Sequence, residues 1–565
     1  MSKRLSVLLV GGYGTLGGRI VQLLEGEPRL TLIVAGRSAR KAEQYCLSRQ
    51  HSTAQLAPAT FDRTGDLAAQ LEQLRPDILV DASGPFQSYG DGRYRLVEAC
   101  LSHGVDYLDL ADGSAFVTGV AAFDAQARAA GRFVLSGVST FPVLTAAAVR
   151  RLAQGLSRVD AIRAGIAPSP FAGVGMNVIR AIAGYAGQPI ELPSCGEVLI
   201  SHPFTEQLRR TISPPGRIPL RSRMFSRVDV PDPHVLSELW PHARVWIGAG
   251  PVPETLHRAL IACAWLVRSS LIRSLSPLAG AMHWASTHLR WGEHRGGMFV
   301  EVEGRDAEGA AVERSWHLLA EGDDGPLIPS MAVAAIVRNV LAGWPPALGA
   351  RPSIRELELE DYAPLLAARA ISTGGRLAPP AGDQPLYQRI LGDDWGDLPP
   401  PISAMHDVEQ SLTARGRASV ERGRGPLAFL AGRIAGFPDA AADTALTVRF
   451  DVVGGVETWT RTFGTKSFSS RQFAGRDRWR WLLCESFGPL TFAMALAPDE
   501  HGRLSLILRG WRLFGLPLPL WLCPTSTAYE HVEDGRFAFH VEIGHPLTGM
   551  IVRYRGWLAP EVAIS

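Results

Sequence analysis

Over the first 150 residues, short continuous apolar runs alternate with stretches of helical period. The runs fall at 5–10, 30–35, 78–82, 107–110 and 133–135, and helical patterns lie between them at 16–24, 39–47, 67–74, 94–101 and 123–130. Unbroken apolar strands separated by crossover-length helices predict a doubly wound parallel α/β sheet, apolar on both faces. From 151 to 371 the pattern turns to longer mixed segments, an α+β domain. It includes a hairpin with arms at 298–303 and 312–319, a turn near Gly309, and a helix over 330–341. Residues 372–386 combine Gly and Pro without apolar period and read as a linker. Residues 387–565 return to period-two alternation at 446–452, 457–463, 490–496, 504–508, 537–543 and 550–558. These segments predict a mostly antiparallel β-rich domain that folds by itself, a sheet or partly closed barrel behind a helical start.

A chain of 565 residues is too long for one core, in keeping with domains at 1–150, 151–371 and 387–565. With 57 Lys plus Arg against 55 Asp plus Glu, it lacks the basic excess that a row of phosphates demands, so nucleic acid is not an expected partner. Lysine occurs only at Lys3, Lys41 and Lys466, which leaves little for amine catalysis. The six cysteines are scattered without zinc-ligand spacing, so no metal is expected and a reducing, cytoplasmic compartment is. The start, MSKRLSVLLVGGYG, moves from a short apolar run into glycines, a strand rather than a secretory signal. No apolar stretch approaches the roughly 20 residues a transmembrane helix needs.

The chemistry concentrates in Gly12, Tyr13, Gly14, Thr15, Leu16 and Gly17, a G-x-G-x-x-G that follows one strand and opens one helix. In that context the glycines permit a tight turn, a close backbone approach to a pyrophosphate and close helix–strand packing, and the helix start offers free N–H donors. After the second strand an NAD enzyme places an acid for the ribose 2′-hydroxyl. Here stand Arg37 and Ser38, followed by Arg40 and Lys41, a set suited to a 2′-phosphate, so the expected cofactor is NADP.

VLLVGGYGTLGGRI with IVAGRS, then ILVDASGPF at 78–86, VDYLDLADG at 105–113 and RFVLSGVSTFP at 132–142 resemble the saccharopine-dehydrogenase-like reductases, over roughly residues 5–370. The resemblance implies a Rossmann domain followed by an α+β substrate and dimerisation domain. It implies that Ser83, Gly84, Pro85 and Phe86 border the nicotinamide half of the cofactor, and that Asp62 lies near the adenine. Residues 387–561, with LYQRILGDDW and RGRASVERGRGPL, resemble an uncharacterised domain found fused behind such reductases. Members act on amino-acid adducts, polyamine precursors and lipid or polyketide intermediates, so the likeness leaves the substrate open.

Hydride transfer also needs a proton donor or an electrostatic clamp. Asp109 and Asp112 follow a strand's carboxyl end, where open α/β sheets bind ligands, and are the catalytic candidates; a structural capping role is the alternative for each. Tyr89 and Tyr94 reach the same region, more in keeping with packing. A turn at 321–326 beside Arg314, Trp316 and His317 suits a hydroxylated or cationic substrate or an ordinary solvated loop. Residues 256–273 set apolar positions beside Arg258, Arg268 and Arg273, which fits a peripheral membrane contact, a homodimer contact or simple burial. The apolar stretch 511–523 fits the lining of a lipid-sized cavity or plain core. The reading is an NADP-dependent oxidoreductase acting on a small-molecule or lipid-like substrate. The alternative is an NADPH-binding scaffold or sensor without turnover, whose C-terminal domain binds a lipid, membrane or protein.

Overall fold

The computed structural model describes residues 4–86, 89–378 and 384–561. These fall into two compact units: Met1–Leu208 with Met224–Ala311 and Leu319–Ser372, and Arg209–Arg223 with Val312–Leu318 and Thr373–Ser565.

The first unit begins with Leu5–Val10 (β1), Thr15–Leu24 (α1), Leu30–Gly36 (β2), Ala39–Leu47 (α2), Gln55–Thr60 (β3) and Leu67–Leu74 (α3). It continues with Ile78–Asp81 (β4), Arg95–Ser102 (α4), Asp106–Asp109 (β5), Ser114–Gly119 (α5), Asp124–Ala129 (α6) and Phe133–Ser136 (β6). Their strands form one parallel sheet in the order β6-β5-β4-β1-β2-β3, the doubly wound fold expected. Val7, Leu8 and Leu9 are wholly buried, as a strand covered on both faces must be, and each contributes about 1.5–3 kcal/mol by leaving water. The strand order reverses between β1 and β4, and that switch point opens a crevice at the strands' carboxyl ends.

Next come Thr145–Ala153 (α7), Arg158–Ala167 (β7), Met176–Tyr185 (α8), Ile190–Ser194 (β8), Glu197–Ser201 (β9), Gln207–Arg210 (β10) and Arg223–Arg227 (β11). Asp232–Leu239 (α9), Arg244–Ala249 (β12), Glu254–Arg268 (α10), Ala279–His288 (α11), Gly296–Arg305 (β13) and Ala311–Ala320 (β14) follow. β12 runs parallel to β7, whereas β13 is antiparallel to β7 and β11 to β12, so this sheet is mixed. Between β13 and β14 the turn closes where Asp306 N–H meets the Ala310 carbonyl, with Gly309 at φ +83°. Ile328–Leu341 (α12) packs on α1: Ser330 Oγ donates to the Leu16 carbonyl at 3.2 Å, and Arg338 reaches that of Leu23. Gly349–Pro352 (β15) then returns to the first sheet beside β6, and Leu359–Ala367 (α13) follows.

Most of the stretch read as a linker is regular structure. Ile371–Ala378 (β16) crosses it, residues 379–383 lie outside the described residues, and Leu386–Leu391 (α14) starts directly afterwards. Gly and Pro obscured the strand, which is tied down by polar contacts rather than an apolar face. Buried Arg376 donates through Nε to the Ser213 carbonyl at 2.7 Å and also to that of Ile390.

In the second unit, Pro400–His406 (α15) leads to Ser411–Arg422 (β17), Pro426–Ile434 (α16), Ala441–Val453 (β18), Val456–Phe463 (β19), Lys466–Ala474 (β20) and Leu483–Phe487 (β21). Leu490–Pro498 (β22), Leu504–Leu513 (β23), Leu516–Leu518 (β24), Thr525–Glu533 (β25), Arg536–His545 (β26) and Gly549–Pro560 (β27) complete it. The eleven strands are antiparallel neighbours, and the pairing of β22 with β23 closes them into a barrel from which β24 projects. Alternate residues such as Leu446, Val448 and Phe450 point inward. The interior also holds Tyr387 and His406 from the leading helices, their rings stacked at 3.6 Å. The apolar stretch after β23 is mostly on the outside: Phe514, Leu516 and Trp521 are exposed, while Trp511 is buried and donates its Nε1–H to the Pro519 carbonyl.

Candidate functional site

The glycine turn has the form a phosphate cradle needs, with one change of role. The residue at positive φ is Gly11 (+81°), one place before the expected Gly12, whose own space is filled by the Leu9 carbonyl and the Val34 side chain. Gly17 is where α1 meets the turn: a Cβ there would lie 2.3 Å from the Gly11 oxygen. Gly14 caps α1 in extended conformation, its N–H bonded to the Gly11 carbonyl. The N–H groups of Thr15, Leu16 and Gly17 come before the first intrahelical bond, Gly18 N–H to the Gly14 carbonyl, so the helix itself does not use them.

At the end of β2, Arg37 is exposed. Ser38 caps α2 by accepting from the Lys41 N–H, which leaves its hydroxyl hydrogen available, and its own N–H donates to the Tyr13 hydroxyl at 3.1 Å. Tyr13 therefore lies across the end of β2, over Gly36. Asp62 faces the same opening. Its carboxylate accepts from the Thr64 N–H and hydroxyl, which with nearby Arg37 holds it below the usual carboxylate range. No carboxylate replaces the ribose acid at position 37 or 38.

Beyond β4, Ser83 donates its hydroxyl to Asp81 Oδ1 at 2.5 Å and stands 3.0 Å from the Tyr89 hydroxyl. Arg63 lies over the Tyr89 ring and 3.1 Å from Asp81 Oδ2. Burial, reinforced by Asp81, pushes the Tyr89 phenol up to about 12. The Gly84 carbonyl accepts from Asn177 of α8 at 3.2 Å, and Phe86 packs edge-on against Tyr89.

Gly11, Tyr13, Gly14, Arg37, Asp62, Ser83 and Tyr89 border one cavity of about 1500 Å³ within the first unit. It is lined from Gly11, Tyr13–Leu16 and Arg37 through Asp62 and Ser83–Phe86 to the inner sides of α8, α10 and α11, where Ile179, Ile182, Leu256, Leu260 and Met282 make it largely apolar. Gly12, Gly17 and Ser38 support this wall from behind without facing it.

The two catalytic candidates part company. Asp112 is half-buried and lines the cavity. Asp109 does not: it is wholly buried, and Oδ1 takes bonds from the Ser136 hydroxyl and the Ala111 and Gly137 N–H groups. Burial pushes its carboxyl up to about 7, the pattern of an internal brace joining β5 to β6. Tyr94 is also structural, donating to the Phe116 carbonyl at 2.8 Å.

Three further polar groups on the cavity wall escaped the sequence reading. Asp229 accepts from Ser114 Oγ at 2.9 Å, and burial raises its carboxyl. Tyr185 is driven well above the ordinary phenol range by burial and by the negative Asp229 and Asp112. His257 stands 2.8 Å from Ser226 Oγ. No motif marks any of them, because three separate elements supply them. Of the turn at 321–326, Asp323, Gly325 and Pro326 reach the cavity, and His294, stacked on Phe171, is 3.9 Å from Asp323. His317 is buried in the second unit between the Ser213 N–H and the Ser315 hydroxyl.

Residues 7–135 match the family described as saccharopine dehydrogenase NADP binding domain. The chain carries a saccharopine-dehydrogenase-type NADP-binding domain. It is an NAD(P)-dependent oxidoreductase. Residues 398–558, within the barrel unit, match a domain of unknown function, DUF4166. No curated protein matches the sequence. Among solved structures, saccharopine dehydrogenase (L-Glu forming) from Saccharomyces cerevisiae aligns at 13% identity over 66% of this chain and 100% of its own, with a TM-score of 0.46. Biliverdin reductase from Synechocystis sp. PCC 6803, in complex with biliverdin and NADP+, aligns at 14% over 63% and 94%, TM-score 0.30. The WlbA dehydrogenase from Thermus thermophilus, in complex with NAD and alpha-ketoglutarate, aligns at 15% over 65% and 93%, TM-score 0.28. Among the described residues no helix is long and apolar enough to cross a membrane, and no His, Cys, Asp and Glu cluster suits a metal.

Proposed function

We propose that the protein transfers hydride between NADP and a bulky, largely apolar carbonyl or enoyl compound bound on the α8–α10–α11 side of the cavity. The observation that carries this reading is the continuity of the cavity, from a phosphate cradle at one end to an apolar chamber at the other. The cradle fits the cofactor: glycines hold space that any Cβ would fill, α1 presents its first N–H groups, and Arg37 takes the place of the ribose acid. When bound, NADP supplies or accepts the hydride.

The chain's own residues do the remainder. Arg37, which faces the cavity at the end of β2, grips the 2′-phosphate, and Thr15 and Leu16 hold the pyrophosphate through their N–H groups. Ser83–Phe86, fixed from behind by Asp81 and from above by Asn177, form the floor of the reacting end. Asp229 keeps its proton to higher pH than an exposed aspartate because burial disfavours its charge, and with Tyr185 and Asp112 it holds the proton that the substrate takes up or gives back. The apolar chamber excludes water from that transfer and binds the substrate's chain. Asp109 is the brace behind the site and leaves the chemistry to Asp112 and Asp229. The six cysteines, none paired among the described residues, suit a cytoplasmic setting.

The test is NADPH consumption with aldehydes, ketones and enoyl thioesters of increasing chain length. The proposal expects kcat/KM to rise with chain length until the chamber is full. Cofactor binding without consumption of any of them would favour the scaffold reading instead.

A further inference from the structure

α10 and α11 are two-sided. Their inner faces, with Leu256, Leu260 and Met282, line the cavity, while Trp265 and Trp284 on their outer faces are exposed at 45% and 57%. The connecting and following segments add Leu271 at 72% and Trp291 at 50%. Exposed tryptophans and leucines recurring along one stretch of chain are more than isolated surface apolar residues. The charge of this stretch has one sign: from Thr255 to Gly292 its ionised residues are Arg258, Arg268, Arg273 and Arg290, with no aspartate or glutamate. The nearest acid at its start, Glu254, is paired with Arg258 at 2.8 Å. Arg268 lies over the Trp265 ring, 4.7 Å from its centroid, and so keeps a cation on an aromatic face.

We infer that the outer face of α10–α11 docks on an anionic lipid bilayer, with Trp265, Trp284 and Trp291 at the headgroup level and Arg268 and Arg273 on lipid phosphates. Tryptophan prefers that depth because its ring is apolar and its N–H polar, and arginine adds attraction to anionic lipid. The helices that meet the bilayer are the ones whose inner faces wall the chamber. The docking rests on the outer face alone and stands whether or not the substrate class proposed above is right.

The full-length protein is sedimented with phosphatidylcholine vesicles with and without phosphatidylglycerol. Binding is expected to the phosphatidylglycerol vesicles, to weaken with salt, and to fall at least tenfold in Trp265→Ser/Trp284→Ser/Trp291→Ser, whose NADPH affinity stays that of the wild type. Arg273→Gln, an exposed single change, is expected to weaken binding about fivefold. Equal sedimentation with both vesicle types, or an unchanged partition constant for the two variants, would overturn the inference. So would a wild-type dimer in light scattering that the tryptophan variant dissociates, since the face then belongs to a second copy of the chain.

Discussion

Ser114, the first residue of α5, donates its hydroxyl to Asp229 at 2.9 Å and so joins the crevice of the parallel sheet to the opposite wall of the cavity. The contact fixes a buried carboxyl that is raised by its surroundings beside Tyr185 and Asp112. Asp229→Asn keeps the shape and the acceptor but removes the proton exchange. Turnover is expected to fall by about 10²-fold or more while NADPH affinity changes by less than about twofold. Steady-state rates with calorimetric titration check both halves.

The turn before α1 offers a contrast between two glycines. At Gly14 an added Cβ meets only the Gly11 oxygen, at 3.0 Å, on the border of the cavity, so Gly14→Val should fold and lose NADPH. At Gly17 the same addition strikes the backbone of Gly11 and Gly12 at 2.3 and 2.7 Å. Gly17→Ala should therefore lower thermal stability as well as binding. Unfolding curves with and without NADPH separate the two variants.

Asp109 gives a pH prediction with a definite sign. Its carboxyl is pushed up to about 7 by burial, above its value in the unfolded chain, so its proton stabilises the fold fully below about pH 4. That stabilisation is lost as pH rises through about 7. Between those limits the slope from one such group is about 1.4 kcal/mol per pH unit. Asp109→Asn, which retains acceptor and shape, should flatten the fall of stability with rising pH. Buried Asp232, also near 7, keeps part of the slope. Thermal melts across pH 4 to 8, about the titration window, read the difference.

In the barrel, His406 lies wholly buried with Nε2 2.7 Å from Glu530 Oε2 and its ring against Tyr387. Removing one member of a buried pair strands the other. His406→Ala should cost about 3–5 kcal/mol, seen as loss of the barrel's unfolding transition at the wild-type temperature in calorimetry of the full chain.

The parallel sheet and the phosphate turn were legible because their signals are local: a strand, a glycine spacing and a helix within about twenty residues. β15 was not, because Gly349–Pro352 carries no apolar pattern and joins the sheet beside β6 only through the fold's return. β17 was missed for another reason. Its inward positions include Ala414 and Ala418, too small to stand out among Arg415, Arg417 and Arg422. In the site, Arg37 and Asp112 were expected from their positions after strands and Ser83 from the family resemblance, and all three line the cavity. Tyr185, Asp229 and His257 come from a helix end, a loop and a second helix, and only the mixed sheet's packing makes them one wall. Asp109 ends β5 and Asp112 follows it, so position along the chain treated them alike, and it is the Ser136 and Gly137 donors at the end of the neighbouring strand that turn the Asp109 carboxyl inward.

The central claim is that the cradle from Gly11 to Gly17 with Arg37 selects NADP. Calorimetric titration of the wild type and Arg37→Asp with NADPH and NADH tests it most directly. The account predicts NADPH at least tenfold tighter than NADH in the wild type, and a loss of about 1.5–3 kcal/mol in NADPH binding on Arg37→Asp, from charged hydrogen bonds removed. Equal wild-type affinities, or an Arg37→Asp variant that still prefers NADPH, would contradict it.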